Sequence, residues 1–335
     1  MSMTRPRLLV VLLNYRTAQM CMRAAEAAVT AMQGLDAEMV IVDNDSGDGS
    51  FDELLAFCET RDWPHVRVLA SGHNGGFGAG NNFGIRAGRA DGNRADYVYI
   101  LNSDAFPAPD AIHSLLNWCE DHPQTGIAGS YIHGTEGDAH LTAFRFPSIA
   151  SEFEQAVRFG PVSRLLAHKR VPMDLPSRPQ GVDWLAGASM LMRTDMLDRI
   201  GMFDETFFLY FEETDLCLRA HRDGWDTVYH PGSRVAHVGS VSTGMKEWRR
   251  IPQYWLDSRL HYFTKNHGRI YASLATVAHV TGGLLWRIRR VIQRKPPADP
   301  PQFLRDLVTH SLRSAVRSAS DKTPPVPHEP AKRLP

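Results

Sequence analysis

The sequence is poor in three features, and each shortage excludes a class of protein. Its 335 residues include only four cysteines, with no CxxC or other metal-type spacing, so we expect reduced, buried thiols of a cytosolic protein. Lys plus Arg and Asp plus Glu both number 37, so no global charge attracts nucleic acid. No apolar run approaches the ~20 residues of a transmembrane helix, and the short run at 8–13 predicts a buried first strand rather than a signal peptide.

What the sequence does contain is an alternation of strands and helices. Apolar runs predict strands at 8–13, 38–42, 66–69, 97–101, 126–132 and 188–192. Helices are predicted between them at 17–33, 50–60 and 108–121. The alternation predicts an α/β fold with a Rossmann-like, mostly parallel sheet, in which ligands bind beyond the carboxyl ends of the strands.

The remaining regions have other characters. Residues 133–182 have little periodicity and predict a long, partly helical excursion over the sheet. Residues 255–315 predict helices with a proline break at 296–301, and the composition from 317 onward is typical of a disordered tail.

Two acidic turns follow predicted strands at the edge where ligands bind. In Asn102-Ser103-Asp104, the carboxylate can hold a divalent cation that also binds phosphate; alternatively, Asp104 or Asp110 only caps the next helix. Asp43 can accept hydrogen bonds from a nucleobase or ribose, although "DNDSGDGS" is also ideal for an Asx-turn.

A glycine-rich loop, "NGGFGAGNN" at 74–82, precedes a predicted helix. Glycines let backbone amides approach a phosphate at a helix start. As a dinucleotide fingerprint the loop fails, because Phe83 stands where a third glycine would follow Gly78 and Gly80. The failure argues against a nicotinamide-dependent oxidoreductase.

The segment "FFLYFEETDLCLRAHRDGW" (207–225) places Glu212 and Glu213 after an aromatic run, at the start of a helix predicted to end at Gly224. The helix dipole favours their ionised forms and mutual repulsion raises one pKa, which suits a general base. The alternative is a solvated first turn, which the aromatics disfavour. Asp215 and Arg219 are spaced for an ion pair along the helix.

His237, in "VAHVGSVST" (235–243), follows two apolar residues as a metal ligand at a strand end would. A lone histidine is equally compatible with a purely structural role. The sequence alone leaves both open.

Taken in order, six motifs resemble those of the inverting family 2 glycosyltransferases, which have a GT-A fold, and in particular the bacterial rhamnosyltransferase-like subgroup. The resemblance covers roughly 7–270 and rests on "VDNDSGDGS", "NGGFGAGNN", "LNSDAFP", "GASMLMRTD", "GMFDETFFLYFEETDLCLRAHRDG" and "HVGSVS". It implies a GT-A domain at 1–270, with a nucleotide-sugar half at 1–130 and an acceptor half at 131–270. A helical extension at 271–316 and a disordered tail at 317–335 would follow.

The resemblance also implies roles for single residues. Glu213 would be the catalytic base, where the family usually has Asp, and Glu212 would help to bind the acceptor. Asp104 and His237 would hold Mg²⁺ or Mn²⁺, with Asn102 in place of the usual first acid of the metal motif. Asp43 would contact a pyrimidine base. The other donor-binding residues implied are Asn74, Gly75, Gly76, Asn81, Asn102, Asp104, Trp184 and Gly187.

The implied reaction moves a sugar, with rhamnose from dTDP-rhamnose as the leading choice, to a hydroxyl of a cell-envelope or lipid-linked glycan. The alternatives are another donor, such as UDP-galactofuranose, or a nucleotide-sugar-binding protein without catalysis. Five basic residues near Trp286 predict peripheral contact with the cytoplasmic face of the cell membrane: Arg287, Arg289, Arg290, Arg294 and Lys295. A helix packed on the catalytic domain or in a dimer explains the same pattern.

Overall fold

The structure, a computed structural model, describes residues 5–239 and 249–320. Its strands are β1 (Arg7–Asn14), β2 (Asp36–Asp43), β3 (Val66–Ala70), β4 (Tyr97–Asn102), β5 (Ala105–Pro107), β6 (Thr125–His133), β7 (Ala143–Phe144), β8 (Gln180–Gly181), β9 (Trp184–Leu185), β10 (Ser189–Arg193) and β11 (Asp226–His237). Its helices are α1 (Ala18–Ala31), α2 (Ser50–Arg61), α3 (Phe77–Ala87), α4 (Ala111–Asp121), α5 (Ile149–Val157), α6 (Gly160–Leu165), α7 (Thr194–Ile200), α8 (Glu212–Arg222), α9 (Gln253–His267), α10 (Arg269–Ile292) and α11 (Phe303–Ser320).

Nine strands form the main sheet, in the order β3-β2-β1-β4-β10-β6-β11-β5, with β8 pairing β11. The first four strands in this order, β3, β2, β1 and β4, are parallel to one another. β10 is antiparallel to both β4 and β6, and β11 is again parallel to β6. The predicted α/β fold is confirmed, and the carboxyl ends of β1, β2 and β4 lie together at one edge.

The strands of the parallel half are buried on both faces because helices cover both sides. Alternate β1 residues point into two separate apolar clusters: Leu8, Val10 and Leu12 face α1, α2 and α4, whereas Leu9 and Val11 face the side of α3, α7 and α8. All four cysteines are free and buried, as their spacing predicts.

The C-terminal helices pack on the rest of the chain. Tyr262 and Phe263 of α9 share an apolar cluster with Ala275 of α10 and with Phe207, which precedes α8. α10 also packs along α5, in the excursion between β6 and β10. α10 begins at Arg269, next to the predicted boundary at 270. α11 runs to Ser320, past the predicted start of the tail; the rest of that tail, 321–335, lies outside the described residues.

Candidate active site

A cavity of about 320 Å³ opens at the carboxyl ends of β1, β2 and β4. We call it the strand-end cavity. Its lining includes, from those strand ends, Leu13, Tyr15, Asn44, Asn102, Ser103 and Asp104, and, from other segments, Asn74, Gly76, Phe77, Phe208, Leu209 and Tyr254. Four of the predicted donor-binding residues therefore share one cavity: Asn74, Gly76, Asn102 and Asp104.

The predicted metal residues Asp104 and His237 are in direct contact. Nε2 of His237 lies 3.0 Å from Oδ1 of Asp104, and the amide of Gly239 donates to Oδ2 at 3.1 Å. The two side chains meet because the end of β11 pairs antiparallel with β5. This pairing places His237 opposite Ala105, the residue after Asp104. Asp104 therefore does not act as a helix cap; α4 instead follows Asp110.

Carboxylate and imidazole are both groups that a divalent cation accepts as ligands, and the 3.0 Å between the two side chains is the distance of a hydrogen bond. In the described parts of the chain, no three His, Cys, Asp or Glu side chains cluster as a metal site. The segment 240–243, which completes the "HVGSVS" motif, lies outside the described residues.

Asp43 is buried beside the strand-end cavity, and its carboxylate is engaged by its own turn. It accepts hydrogen bonds from Asn14 Nδ2 at 2.8 Å, Ser46 Oγ at 2.5 Å and Ser46 N at 3.1 Å. Its neighbour Asn44 lines the cavity and donates through Nδ2 to Asn74 Oδ1 and to the carbonyl of Gly76. The sequence suggested only a turn role for Asn44.

The glycine-rich loop is shorter than the sequence predicts, because α3 already begins at Phe77. Gly76, at φ +92°, lies so close to Phe208 that an added Cβ would be 1.8 Å from its carbonyl oxygen. Gly75 packs against Ala79. Asn81 is fully buried on α3, where it donates to the carbonyl of Phe77 at 3.0 Å.

Glu212 and Glu213 open α8; Glu212 is buried and Glu213 is half-buried, so this first turn is not a solvated one. Burial raises the pKa of Glu213 to about 7, although the amides of Glu213 and Gly187 counteract it. Burial, and then the charge of Glu213, raise the pKa of Glu212 well above its usual range. Oε2 of each has no hydrogen-bond partner.

α8 is held rigidly, which fixes the position of Glu213. The predicted ion pair between Asp215 and Arg219 is present, at 2.8 Å. Asp215 also accepts hydrogen bonds from Lys265 and Asn266 of α9, both at 2.8 Å. The first turn of α8 is thus tied to α9.

Glu213 lines a second cavity, of about 450 Å³, which we call the helix-side cavity. Aromatic rings from five segments surround it: Phe144, Trp184, Tyr210, Phe211, Trp255 and Phe303. Trp184 stacks on Phe144, with ring centroids 4.1 Å apart, and donates to the carbonyl of Arg145. No pattern in the sequence points to Trp255 or Phe303, which come from the distant helices α9 and α11.

Gly187 joins the two cavities. A Cβ built at this position would lie 3.0 Å from the ring of Phe77, in the strand-end cavity, and 4.0 Å from Oε1 of Glu213, in the helix-side cavity. The carbonyl of the next residue, Ala188, accepts a hydrogen bond from the amide of Asn102. Gly187 therefore lies beside one lining residue of each cavity, Phe77 and Glu213.

The segment Phe208–Phe211 separates the cavities: Phe208 and Leu209 line one, and Tyr210 and Phe211 line the other. Tyr210 and Phe211 have φ of +70° and +71°. Left-handed backbone at bulky residues is strained and is found mainly at functional sites.

Two comparisons of folds define the class of protein. A mannosyltransferase, PcManGT from Pyrobaculum calidifontis, solved with GDP-Man and Mn²⁺, matches with a TM-score of 0.51 and 15% identity over 95% of this chain and 88% of that one. GalNAc-T7, solved with UDP, GalNAc and Mn²⁺, matches with a TM-score of 0.56 and 13% identity over 96% and 58%. The fold is that of a GT-A glycosyltransferase.

The sequence comparisons identify the family. The model of the family described as "Glycosyltransferase like family 2" matches residues 6–281, so the chain belongs to this family and is a glycosyltransferase of its rhamnosyltransferase-like subgroup. The N-acetylglucosaminyl-diphospho-decaprenol L-rhamnosyltransferase of Mycobacterium tuberculosis is 31% identical over 216 residues, 62% of this chain and 68% of the relative. Rhamnosyltransferase WbbL of Escherichia coli is 26% identical over 164 residues, 48% and 60% of the two chains.

Proposed function

We propose that this chain transfers a sugar from a nucleotide-sugar to a hydroxyl group of a cell-envelope or lipid-linked glycan, with inversion at the anomeric carbon. dTDP-rhamnose is the leading donor, because relatives are named as rhamnosyltransferases. A lipid-linked acceptor is favoured because one relative is named for a decaprenol-diphosphate acceptor. One observation carries the proposal. The Glu213 carboxyl, with its pKa raised to about 7 by burial and with Oε2 lacking a hydrogen-bond partner, lines the helix-side cavity next to Gly187.

The strand-end cavity would hold the nucleoside diphosphate. The amino end of α3 faces it, and a helix start with exposed amides favours phosphate. Asn44, Asn74 and Gly76 form one hydrogen-bonded wall. Asp43 would contact the base through an oxygen lone pair that its turn leaves available, and Asn81 and Gly75 would support the loop from behind.

Asp104 and His237, with Asn102 nearby, would hold Mg²⁺ or Mn²⁺. Carboxylate, imidazole and amide oxygen are ligands that Mn²⁺ accepts. When bound, such a cation offsets the negative charge of the departing diphosphate. The amide of Gly239 and the pairing of β11 with β5 keep the two side chains together.

Glu213 would act as the general base. Its carboxylate takes the proton from the acceptor hydroxyl, the oxygen forms a bond to the anomeric carbon, and the bond from that carbon to the diphosphate oxygen breaks. Trp184 and the other rings of the helix-side cavity would bind sugar faces and exclude water. Glu212, which lines neither cavity and whose pKa is raised by burial and by the charge of Glu213, would stay protonated and position Glu213.

The test compares two isosteric substitutions. Glu213→Gln should reduce turnover by a general-base factor, about 10²–10⁴, and leave donor binding unchanged. Glu212→Gln is the matched control and should cost much less, because Glu212 lines neither cavity. A larger loss in Glu212→Gln than in Glu213→Gln would show that the base is misassigned.

A panel of nucleotide-sugars with Mn²⁺, scored by thermal shift and by donor turnover, separates the alternatives. A shift with UDP-galactofuranose rather than dTDP-rhamnose would change the donor. Binding without hydrolysis or transfer, with any acceptor, would indicate a binding protein that does not catalyse.

A further inference from the structure

The outer face of α10 carries an apolar stripe that no described part of the chain covers. Eight of the fourteen large apolar side chains that stand exposed in the described residues lie on this helix. They are Ile270, Leu274, Val277, Leu284, Leu285, Ile288, Val291 and Ile292. Their spacing of three, four and seven residues places them along one face. The 24 residues of α10 make this stripe about 36 Å long.

Close packing on the opposite side fixes the direction in which the stripe points. A Cβ built at Gly282 would lie 2.8 Å from the carbonyl oxygen of Phe153 in α5, and one at Gly283 would lie 2.8 Å from Leu304 in α11. No larger side chain fits at either contact. α10 therefore cannot turn its stripe inward without separating from both helices.

The surroundings of the stripe are basic. Residues 269–298 contain six Lys or Arg and no acid, and residues 158–173 contain four and no acid. Arg289 joins the two segments: it donates to the carbonyl oxygens of Val157 and Arg158 and lies 4.6 Å from the ring of Phe159. Arg287, Arg294 and Lys295 are exposed.

The structure changes which residues would touch a membrane. Trp286, which the sequence suggests as an interfacial anchor, is only 7% exposed and packs inward. Arg289 also points towards α5. The exposed surface is instead made of aliphatic side chains, with the remaining basic residues beside them.

We infer that this face of α10 docks in the plane of a bilayer that carries anionic headgroups. Apolar side chains with flanking Lys and Arg are what such a surface binds. Within the described ranges, no helix is long and apolar enough to cross a membrane, so the contact is peripheral. A second copy of the chain is a poor occupant, because the basic residues beside one stripe would meet those beside the other, and Asp299, the acid that adjoins them, is already paired with Arg158.

The helix-side cavity lies on the inward side of α10. His279, which lines it, is only 7% exposed and is spaced from Ile270 and Ile288 so that it falls on the opposite face of the helix from the stripe. The stripe is therefore a docking surface separate from this cavity.

The experiment measures cosedimentation of the full chain with vesicles, without donor or acceptor. We expect binding to vesicles of phosphatidylcholine with phosphatidylglycerol, and weaker binding to phosphatidylcholine alone. Ile288→Gln should weaken binding about tenfold or more. Leu55→Gln, which changes an exposed leucine of α2, is the matched control and should bind unchanged. Arg287→Gln with Arg294→Gln should abolish most of the preference for the anionic lipid, at about fivefold per charge.

Three results would overturn the inference. The first is that the chain does not bind anionic vesicles, and the second is that Leu55→Gln and Ile288→Gln lose equal vesicle affinity. The third is that the chain forms a dimer in solution that Ile288→Gln dissociates, which would assign the stripe to a second copy. Turnover with a short-chain, water-soluble acceptor separates this inference from the proposed function. Ile288→Gln should keep that turnover, and a chain that binds vesicles but has no turnover would contradict the proposed function alone.

Discussion

Two adjacent glutamates at the start of α8 have different surroundings: Glu212 is buried and Glu213 is half-buried. Glu213 faces the helix-side cavity and the amide of Gly187, whereas Glu212 lines neither cavity. Two carboxylates so close cannot both ionise easily, so the pair shares its protons unequally. The one at the cavity, with its pKa raised to about 7, is suited to accept a proton near neutral pH.

The pH dependence of kcat/KM should report this pair. The base works in its ionised form, so activity should be lost as pH falls through about 7, the raised pKa of Glu213, and reach a plateau above it. The residual activity of Glu213→Gln should lack this limb. An acid limb near 4.5, the ordinary pKa of glutamate, would contradict the buried position of the base.

The contact between Asp104 and His237 predicts that the two side chains bind one cation together. His237→Ala should weaken Mn²⁺ affinity at least about tenfold, measured as the Mn²⁺ concentration that supports half-maximal donor binding. His133→Ala, at the end of neighbouring β6, is the matched control. Equal affinity in the two variants would exclude His237 as a ligand.

At the scale of elements, the glycine-rich loop serves backbone packing as well as ligand access. Gly76 has φ +92° and ψ −173°, a region open essentially to glycine alone. Its place against Phe208 brings the start of α3 onto the wall between the cavities, and the amide of Phe77 donates to the carbonyl of Phe208 at 3.0 Å. The loop therefore positions this wall.

Gly76→Ala separates that contact from simple backbone strain. The matched control is Gly72→Ala, which also has positive φ (+70°) but meets nothing within 4 Å. The control should lower the free energy of unfolding by about 1–2 kcal/mol. Gly76→Ala should lower the free energy of unfolding by more than the control does, as measured by urea unfolding. It should also weaken donor binding, as measured by nucleotide titration. Equal losses would show that the contact with Phe208 is unimportant.

The strand that delivers His237 shows where local sequence signals fail. The run at 226–237 includes Pro231 and Gly232, which ordinarily break strands. β11 nevertheless continues through them, with a register shift against β6 between His230 and Arg234. This irregularity depends on pairing with β6, which no local pattern predicts. The six strands that the sequence predicts are all present, as β1, β2, β3, β4, β6 and β10.

At the scale of the whole molecule, a buried charged cluster joins the excursion to the C-terminal helices. Glu152 of α5 accepts hydrogen bonds from Arg259 of α9 at 2.8 Å and from His279 of α10 at 2.7 Å. Burial alone would raise the pKa of Glu152, but Arg259 and His279 outweigh it and lower the pKa to about 2. The three helices are therefore one folding unit with the cavity they line.

This cluster should stabilise the fold in a pH-dependent way. Because the pKa of Glu152 is lowered, its contribution is present above about 4.5 and is lost as pH falls through about 2. Glu152→Gln should cost about 3–5 kcal/mol near neutral pH, since Arg259 is left buried and unpaired, and the difference should shrink in acid. The control is Glu59→Gln, at an exposed position of α2; an equal effect there would contradict the prediction.

Sequence reasoning found the groups at strand ends and helix starts, because hydrophobic periodicity fixes where those points fall. It predicted Asp104, His237 and Glu213 as candidates, and the structure brings Asp104 and His237 into contact. It could not find Tyr254, Trp255 or Phe303, since their approach depends on how α9 and α11 fold back. It also favoured Asp43 over Asn44, whose side chain is the one that lines the strand-end cavity.

The stretch Phe208–Phe211 has a consequence for the shape of both cavities. Phe208 and Leu209 line the strand-end cavity, Tyr210 and Phe211 line the helix-side cavity, and Gly76 packs against Phe208. A substitution that shifts this segment would therefore alter the two cavities together.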